Sequence, residues 1–204
     1  MTDSTRRRPA TLKHVAMGLA LAMTVQILSA CVPVIVGAAT VTGIELYLDR
    51  RSVGRNIDDN SLELQLRGEY LTDEQLGSGL NISVTSMNGV VLLTGEVLTD
   101  EQRQRAEQIA RSYQETREVV NELELAGKTN LTSRANDSYI TAKVKSKLAT
   151  NGDIPAASIN VTTERGKVYL MGLVTREEAE LAVEETQTVS GVTHIVKVFE
   201  YLDV

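Results

Sequence analysis

The chain has no tryptophan, one phenylalanine, one cysteine and two histidines in 204 residues. So few aromatic rings leave few platforms for stacked bases, which argues against a reader of single-stranded nucleic acid. Lysine and arginine number 21 against 27 acidic residues, a formal net charge of −6. A chain of that sign has no general attraction to a phosphate backbone. One cysteine admits no intramolecular disulfide. His14 lies near the N-terminus and His194 in a strand pattern, so no Cys/His cluster has metal-ligand spacing, and His194 reads as a satisfied structural residue. There is no nucleophile elbow and no phosphate-binding loop. Gly77-Ser78-Gly79 is a loop before a strand, and the pairs Glu177-Glu178 and Glu184-Glu185 read as solvated charges. These absences together point to a non-enzyme that needs no metal and no cofactor. Apolar residues still make up 42% of the chain, enough for packed cores.

The N-terminus carries an export signal. Arg6, Arg7, Arg8 and Lys13 precede an apolar run over residues 15–28, and small residues follow. That order of basic, apolar and small segments is a secretory signal peptide. The run falls short of the roughly 18–20 apolar residues of a spanning helix. Leu28-Ser29-Ala30-Cys31 resembles a bacterial lipobox, which implies cleavage before Cys31 and acylation of that cysteine. An ordinary signal with a free thiol is the alternative. By the same resemblance, Val32 rather than Asp after the cysteine implies sorting to the periplasmic face of the outer membrane. Several acyl chains give the stable anchoring that one cannot. Cleavage leaves 174 residues and, by removing a net +3, shifts the formal charge from −6 to −9.

The remainder is an internal duplication. Gly89-Val90-Val91-Leu92-Leu93-Thr94-Gly95-Glu96-Val97 and Gly166-Lys167-Val168-Tyr169-Leu170-Met171-Gly172-Leu173-Val174 both read G-x-V-x-L-x-G-x-V, 77 positions apart. Ile82-Ser83-Val84-Thr85 matches Ile159-Asn160-Val161-Thr162 at the same offset. Asp59, Leu62, Leu66 and Tyr70 align with Asp137, Ile140, Val144 and Leu148 at 78, and Val119-Val120 with Ile195-Val196 at 76.

Each copy reads as helix, strand, strand, helix, strand. Ile140, Val144 and Leu148 form one apolar helical stripe, with Asp137 as N-cap and Gly152 at the end. Ile159/Val161 and Val168/Leu170 alternate at strand period. Asn88-Gly89 marks a hairpin turn, matched by Arg165-Gly166. Second helices are expected near residues 99–113 and 176–189, and final strands near 117–125 and 192–201. The fold class is α+β: two tandem units, each a small three-stranded mixed sheet with two helices on one face.

This αββαβ pattern resembles the BON domain of bacterial envelope proteins, over roughly residues 55–125 and 133–203. The implied division is a signal peptide at 1–30, an acylated tether at 31–54, a first domain at 55–125, a linker at 126–132 and a second domain at 133–204. The tether either packs on the first domain or lies against lipid. One departure is visible: Gly191-Val192 precedes the last strand of the second copy, as in most BON domains, whereas the first copy has Glu115-Thr116. A reshaped turn is expected there.

The copies differ in charge. Over residues 58–74 the first helix holds Asp58, Asp59, Glu63, Glu69, Asp73 and Glu74 against Arg67; over 134–147 the second holds Arg134, Lys143, Lys145 and Lys147 against Asp137. Tyr139, Lys143 and Lys147 recur at i, i+4 and i+8, along one flank of the apolar stripe. Lysine stems and a tyrosine ring suit the boundary between apolar surface and anionic headgroups. A solvated helix face is the plainer reading of the same lysines. The resemblance favours lipid, because outer-membrane lipoproteins with paired BON domains bind anionic phospholipid through this helix, with an aromatic residue where Tyr139 stands. The expected function is therefore an outer-membrane lipoprotein that binds anionic phospholipid through Tyr139, Lys143, Lys147, Lys145 and Arg134 and supports envelope integrity, including at division sites. The alternative is an adaptor that docks envelope assembly or septal wall-remodelling proteins on the acidic first helix or on open sheet surfaces.

Overall fold

A computed structural model describes residues 53–78, 80–127 and 129–202; the signal peptide, Cys31 and most of the tether lie outside that range. The first unit runs α1 (Val53–Thr72), β1 (Asn81–Met87), β2 (Val90–Val97), α2 (Asp100–Arg111) and β3 (Glu118–Leu125). The second runs α3 (Leu131–Thr150), a short 3₁₀ turn (Ala156–Ser158), β4 (Ile159–Glu164), β5 (Lys167–Val174), α4 (Arg176–Gln187) and β6 (His194–Tyr201). In each unit the middle strand pairs antiparallel with the strand before it and parallel with the strand after the helix. The expected mixed sheet is present twice.

Local chemistry accounts for the elements. The hairpin turns place Asn88 and Gly89 at φ 54 and 78, and Arg165 and Gly166 at 51 and 76. Two consecutive positive-φ residues match the right-handed twist of the strands they join. Thr99 and Thr175 cap α2 and α4, each in a reciprocal box with Gln102 or Glu178. On one face of the first sheet Leu62, Leu66 and Tyr70 of α1 and Ala106 and Ile109 of α2 cover Val91 and Leu93. Ile140, Val144 and Leu148 of α3 and Ala179 and Ala182 of α4 cover Val168 and Leu170 in the second.

Asp137 is not the N-cap of its helix. α3 starts six residues earlier, at Leu131, with the Asn130 side chain accepting the Ser133 amide at 2.8 Å. Asp137 is buried within the helix, and its carboxylate accepts the amides of Arg165 at 3.0 Å and Gly166 at 2.8 Å. Asp59 in α1 likewise accepts the Ser86 hydroxyl at 2.9 Å and the amides of Asn88 at 2.7 Å and Gly89 at 3.0 Å. A tight hairpin turn presents amides with no strand partner, and the helix supplies the acceptor. The expected change of turn before the last strand is also present: Gly191 sits at φ 101, whereas no residue of the 113–117 turn is left-handed. His194 lies at the start of β6, the strand expected for it, and is exposed there.

The second faces of the two sheets meet each other. Met87, Val90 and Leu92 pack against Tyr169 and Met171, flanked by Val120, Val196 and Val198. The order of layers is helices, sheet, sheet, helices, so open sheet faces of the kind an adaptor would use are absent from this part of the structure. Leu92 and Tyr169 are equivalent positions of the repeat, but the rim has diverged to opposite charge. Arg165 and Lys167 of the second unit pair with Glu96, Glu122 and Glu124 of the first, and Arg117 pairs with Glu200.

At the end of this seam Glu96 is buried and accepts hydrogen bonds from Asn81 at 2.9 Å, the Thr129 amide at 3.2 Å, the Thr129 hydroxyl and Arg165 at 3.0 Å. Burial opposes its charge, yet these hydrogen bonds together hold its carboxyl below the usual range. Glu164 lies nearby with a buried oxygen that has no hydrogen-bond partner. Burial first, then the charges of Glu96 and Asp137, push its carboxyl up to about 7.

Two predictions follow from these carboxylates. Asp137→Ala leaves two turn amides without their acceptor, and at roughly 1–3 kcal/mol for each unsatisfied buried group the loss is about 2–6 kcal/mol, read by urea denaturation. Glu164 binds its proton more tightly folded than unfolded, so its contribution to stability falls as pH rises from the ordinary carboxylate value toward 7. Glu164→Gln therefore raises the melting temperature at pH 8, leaves it nearly unchanged at pH 5, and flattens the slope between.

Candidate functional site

The candidate surface is the solvent side of α3. Asp137, Ile140, Val144 and Leu148 fix the inward face, all buried. At 100° per residue the opposite face falls on Leu131, Ala135, Ser138, Ala142, Ser146 and Ala149, all exposed. Leu131 and Tyr139 are the large apolar groups here, 76% and 64% exposed. Asp137 is the helix's one acidic residue and it points inward, so α3 presents no carboxylate to solvent.

The expected site residues separate into three groups. Tyr139 and Lys143 come together, with the Lys143 ammonium 5.3 Å from the ring centroid and donating to the Ser190 carbonyl at 3.2 Å. A cation over an aromatic face is attracted by its quadrupole, so the pair is held as a unit. Lys147 continues the flank but is turned to α4, where its ammonium is 3.4 Å from a Glu185 oxygen. A hydrogen bond from Asn151, then the Lys147 contact, holds the Glu185 carboxyl below its usual range. Lys145 is exposed on the other flank. Arg134 shares that flank and is not joined to Tyr139. Its Nε is buried without a hydrogen-bond partner, and its charge acts on Glu164 of β4.

The resulting strip is apolar and small along its centre, with a lysine on each side. Such a helix can lie in a headgroup layer with its lysine stems along the apolar boundary. Leu131 was missed from the sequence because the helix was expected to begin after it. Its signal was the Asn130 cap followed by Ser133 at cap spacing. Cys31 lies outside the described residues. Among the described residues no cluster of three or more His, Cys, Asp or Glu could hold a metal ion, and no helix is long and apolar enough to cross a membrane.

Comparison with known proteins agrees with this architecture. The BON domain family model matches residues 58–127 and 136–203. The outer membrane lipoprotein DolP of Haemophilus influenzae is 34% identical over 176 residues, covering 86% of this chain and 91% of that protein. A 21 kDa hemolysin of Actinobacillus pleuropneumoniae is 34% identical over 155 residues, covering 76% and 80%. The osmotically-inducible protein Y of Escherichia coli is 25% identical over 146 residues, covering 70% and 72%. Two matched segments, each coinciding with one αββαβ unit, show that the chain belongs to the BON-domain family and carries two BON domains in series.

Proposed function

We propose that this protein is an outer-membrane lipoprotein of the DolP type, held by acylated Cys31, that binds anionic phospholipid through the outer face of α3 and supports envelope integrity, including at division sites. The relatives support the compartment, since one of them is named an outer membrane lipoprotein and matches over most of both chains. The observation that carries the lipid reading is the composition of α3's solvent side: Leu131 and Tyr139 exposed, lysines on both flanks and no carboxylate.

Basic residues near an anionic surface contribute on the order of 1 kcal/mol each. Alone, two or three of them bind weakly. Behind an acyl anchor the same helix acts at a high effective concentration, where weak headgroup preference becomes useful. Tyr139 has an apolar ring and a polar tip, so it reaches only the boundary of the hydrocarbon. The reading is therefore of shallow, salt-sensitive and reversible contact that orients an already anchored protein.

Flotation of the mature chain, with Cys31→Ser to remove the anchor, on phosphatidylglycerol-containing and phosphatidylcholine vesicles tests this. Binding is expected only to the anionic vesicles, lost in high salt and reduced about tenfold or more by Tyr139→Ala/Lys143→Glu, in line with about 1 kcal/mol per charge. Lys145→Gln is expected to cost more than Lys147→Gln, because Glu185 already neutralises Lys147. Equal binding to both vesicles, or binding indifferent to Tyr139 and Lys143, contradicts the reading.

A further inference from the structure

Glu164 stands where the contact between the two units has an apolar residue on the other side of the repeat. At the offset of 77 it is the counterpart of Met87, and Lys167 is the counterpart of Val90. Each pair closes its hairpin, Met87 opposite Val90 and Glu164 opposite Lys167. Met87 and Val90 are buried in the sheet-on-sheet contact. On β4 the Thr163 side chain turns to α3, its hydroxyl 2.8 Å from that of Thr141. Successive strand residues face opposite ways, so Glu164 is on the side toward the first unit. One of its oxygens is buried there without a hydrogen-bond partner.

The groups around Glu164 leave it without a free cation. Glu96 of β2, Asp137 and Arg134 of α3 and Arg165 of the turn act on it. Arg165 is engaged by Glu96 at 3.0 Å and by the Thr129 hydroxyl at 3.1 Å. Lys167 is engaged by Glu122 at 3.5 Å and by Glu124 at 3.2 Å, both on β3. Burial first, then the charges of Glu122, Glu124 and Glu164, keep the Tyr169 phenol of β5 protonated. This end of the seam thus gathers five carboxylates, Glu164 included, and three cations. Of the causes that raise the Glu164 carboxyl, burial is the largest and the Glu96 charge the next. Glu96 belongs to the first unit. Parting the sheets removes it and readmits water, while Arg165 and Arg134 of the second unit remain, so the proton is held less tightly.

We propose that Glu164 is a proton latch between the two BON domains: protonated, it lets the sheets close on each other, and ionised, it sets a second carboxylate against Glu96 and lets the domains part while each stays folded. Opening bares Met87, Leu92 and Tyr169, apolar sheet surface that the closed form hides. The latch does not depend on the lipid reading of α3, whose outer face it leaves unchanged. The sign of the response follows from linkage. The form that holds the proton more tightly gains as pH falls, so opening rises with pH from the ordinary carboxylate value toward 7 and levels off above it.

The test is thiol labelling of the mature chain with Cys31→Ser and a single cysteine at Met171→Cys in the seam, Ala182→Cys in the helix-side core or Ser61→Cys on the surface. Dividing each rate by that of Ser61→Cys at the same pH removes the reactivity of the thiol itself. The seam rate is expected to rise at least about tenfold from pH 5 to pH 8, with the level region beginning near 7. At pH 8 it is expected to exceed the core rate by about tenfold or more, since the sheets part without unfolding. Glu164→Gln, and Glu164→Met with the residue of the first copy, are expected to hold the seam at its pH 5 rate throughout. Histidine titrates in the same interval, so His194→Asn, at the one histidine among the described residues, is the control and is expected to leave the rise intact. The proposal is overturned by a seam rate that does not rise with pH, by a rise that survives Glu164→Gln or is lost in His194→Asn, or by a seam thiol labelled no faster than the core thiol.

Discussion

The contact of sheet on sheet organises everything else in this molecule. A three-stranded sheet with two helices covers only one of its faces, and the second face must be hidden or solvated. Here each unit hides it against the other, through Met87, Val90, Leu92, Tyr169 and Met171. The duplication is therefore a packing solution as well as a genetic one. Equivalent positions meet across the seam, and divergence at its rim, with Arg165 and Lys167 against Glu96, Glu122 and Glu124, favours this pairing over two copies of the same unit.

Once the sheets are back to back, the four helices of the described residues are forced outward, and the entry helices of the two units take opposite sides. That geometry gives meaning to their difference in charge. α3 has turned its one carboxylate inward to hold a hairpin turn and kept lysines outside. α1 has made the same inward use of Asp59 but leaves Ile57, Leu64 and Leu71 exposed on its solvent side. The shared aspartate is structural in both copies. What differs is the solvent side, where the fold makes no demand.

Much of the fold was legible because it rests on local chemistry. Helical spacing at Ile140, Val144 and Leu148, alternation in the strands and the Asn88-Gly89 turn identified the elements, and the repeat doubled each signal. Asp137 misled because an aspartate ahead of an apolar stripe looks like an N-cap; its actual partners, the turn amides of Arg165 and Gly166, lie almost thirty positions away in sequence and no local pattern shows them. The seam was readable in principle. β2 is buried along its whole length, and a central strand apolar on both faces must be covered on both. At the candidate site, helical spacing brought Tyr139 and Lys143 together correctly. It could not show that Glu185 takes Lys147 or that the charge of Arg134 acts on Glu164, because those partners come from α4 and β4.

The central claim is that two opposed helices face two different environments. Spin labels at Ser138→Cys on α3 and Ser61→Cys on α1, in the chain with Cys31→Ser on phosphatidylglycerol-containing vesicles, test it through their accessibility to a lipid-soluble and a water-soluble relaxant. The account predicts that the Ser138 label moves toward the lipid-soluble relaxant on vesicle binding, while the Ser61 label stays as exposed to water as in solution. Labels that both remain in water, or a label at Ser61 that enters lipid, would contradict it.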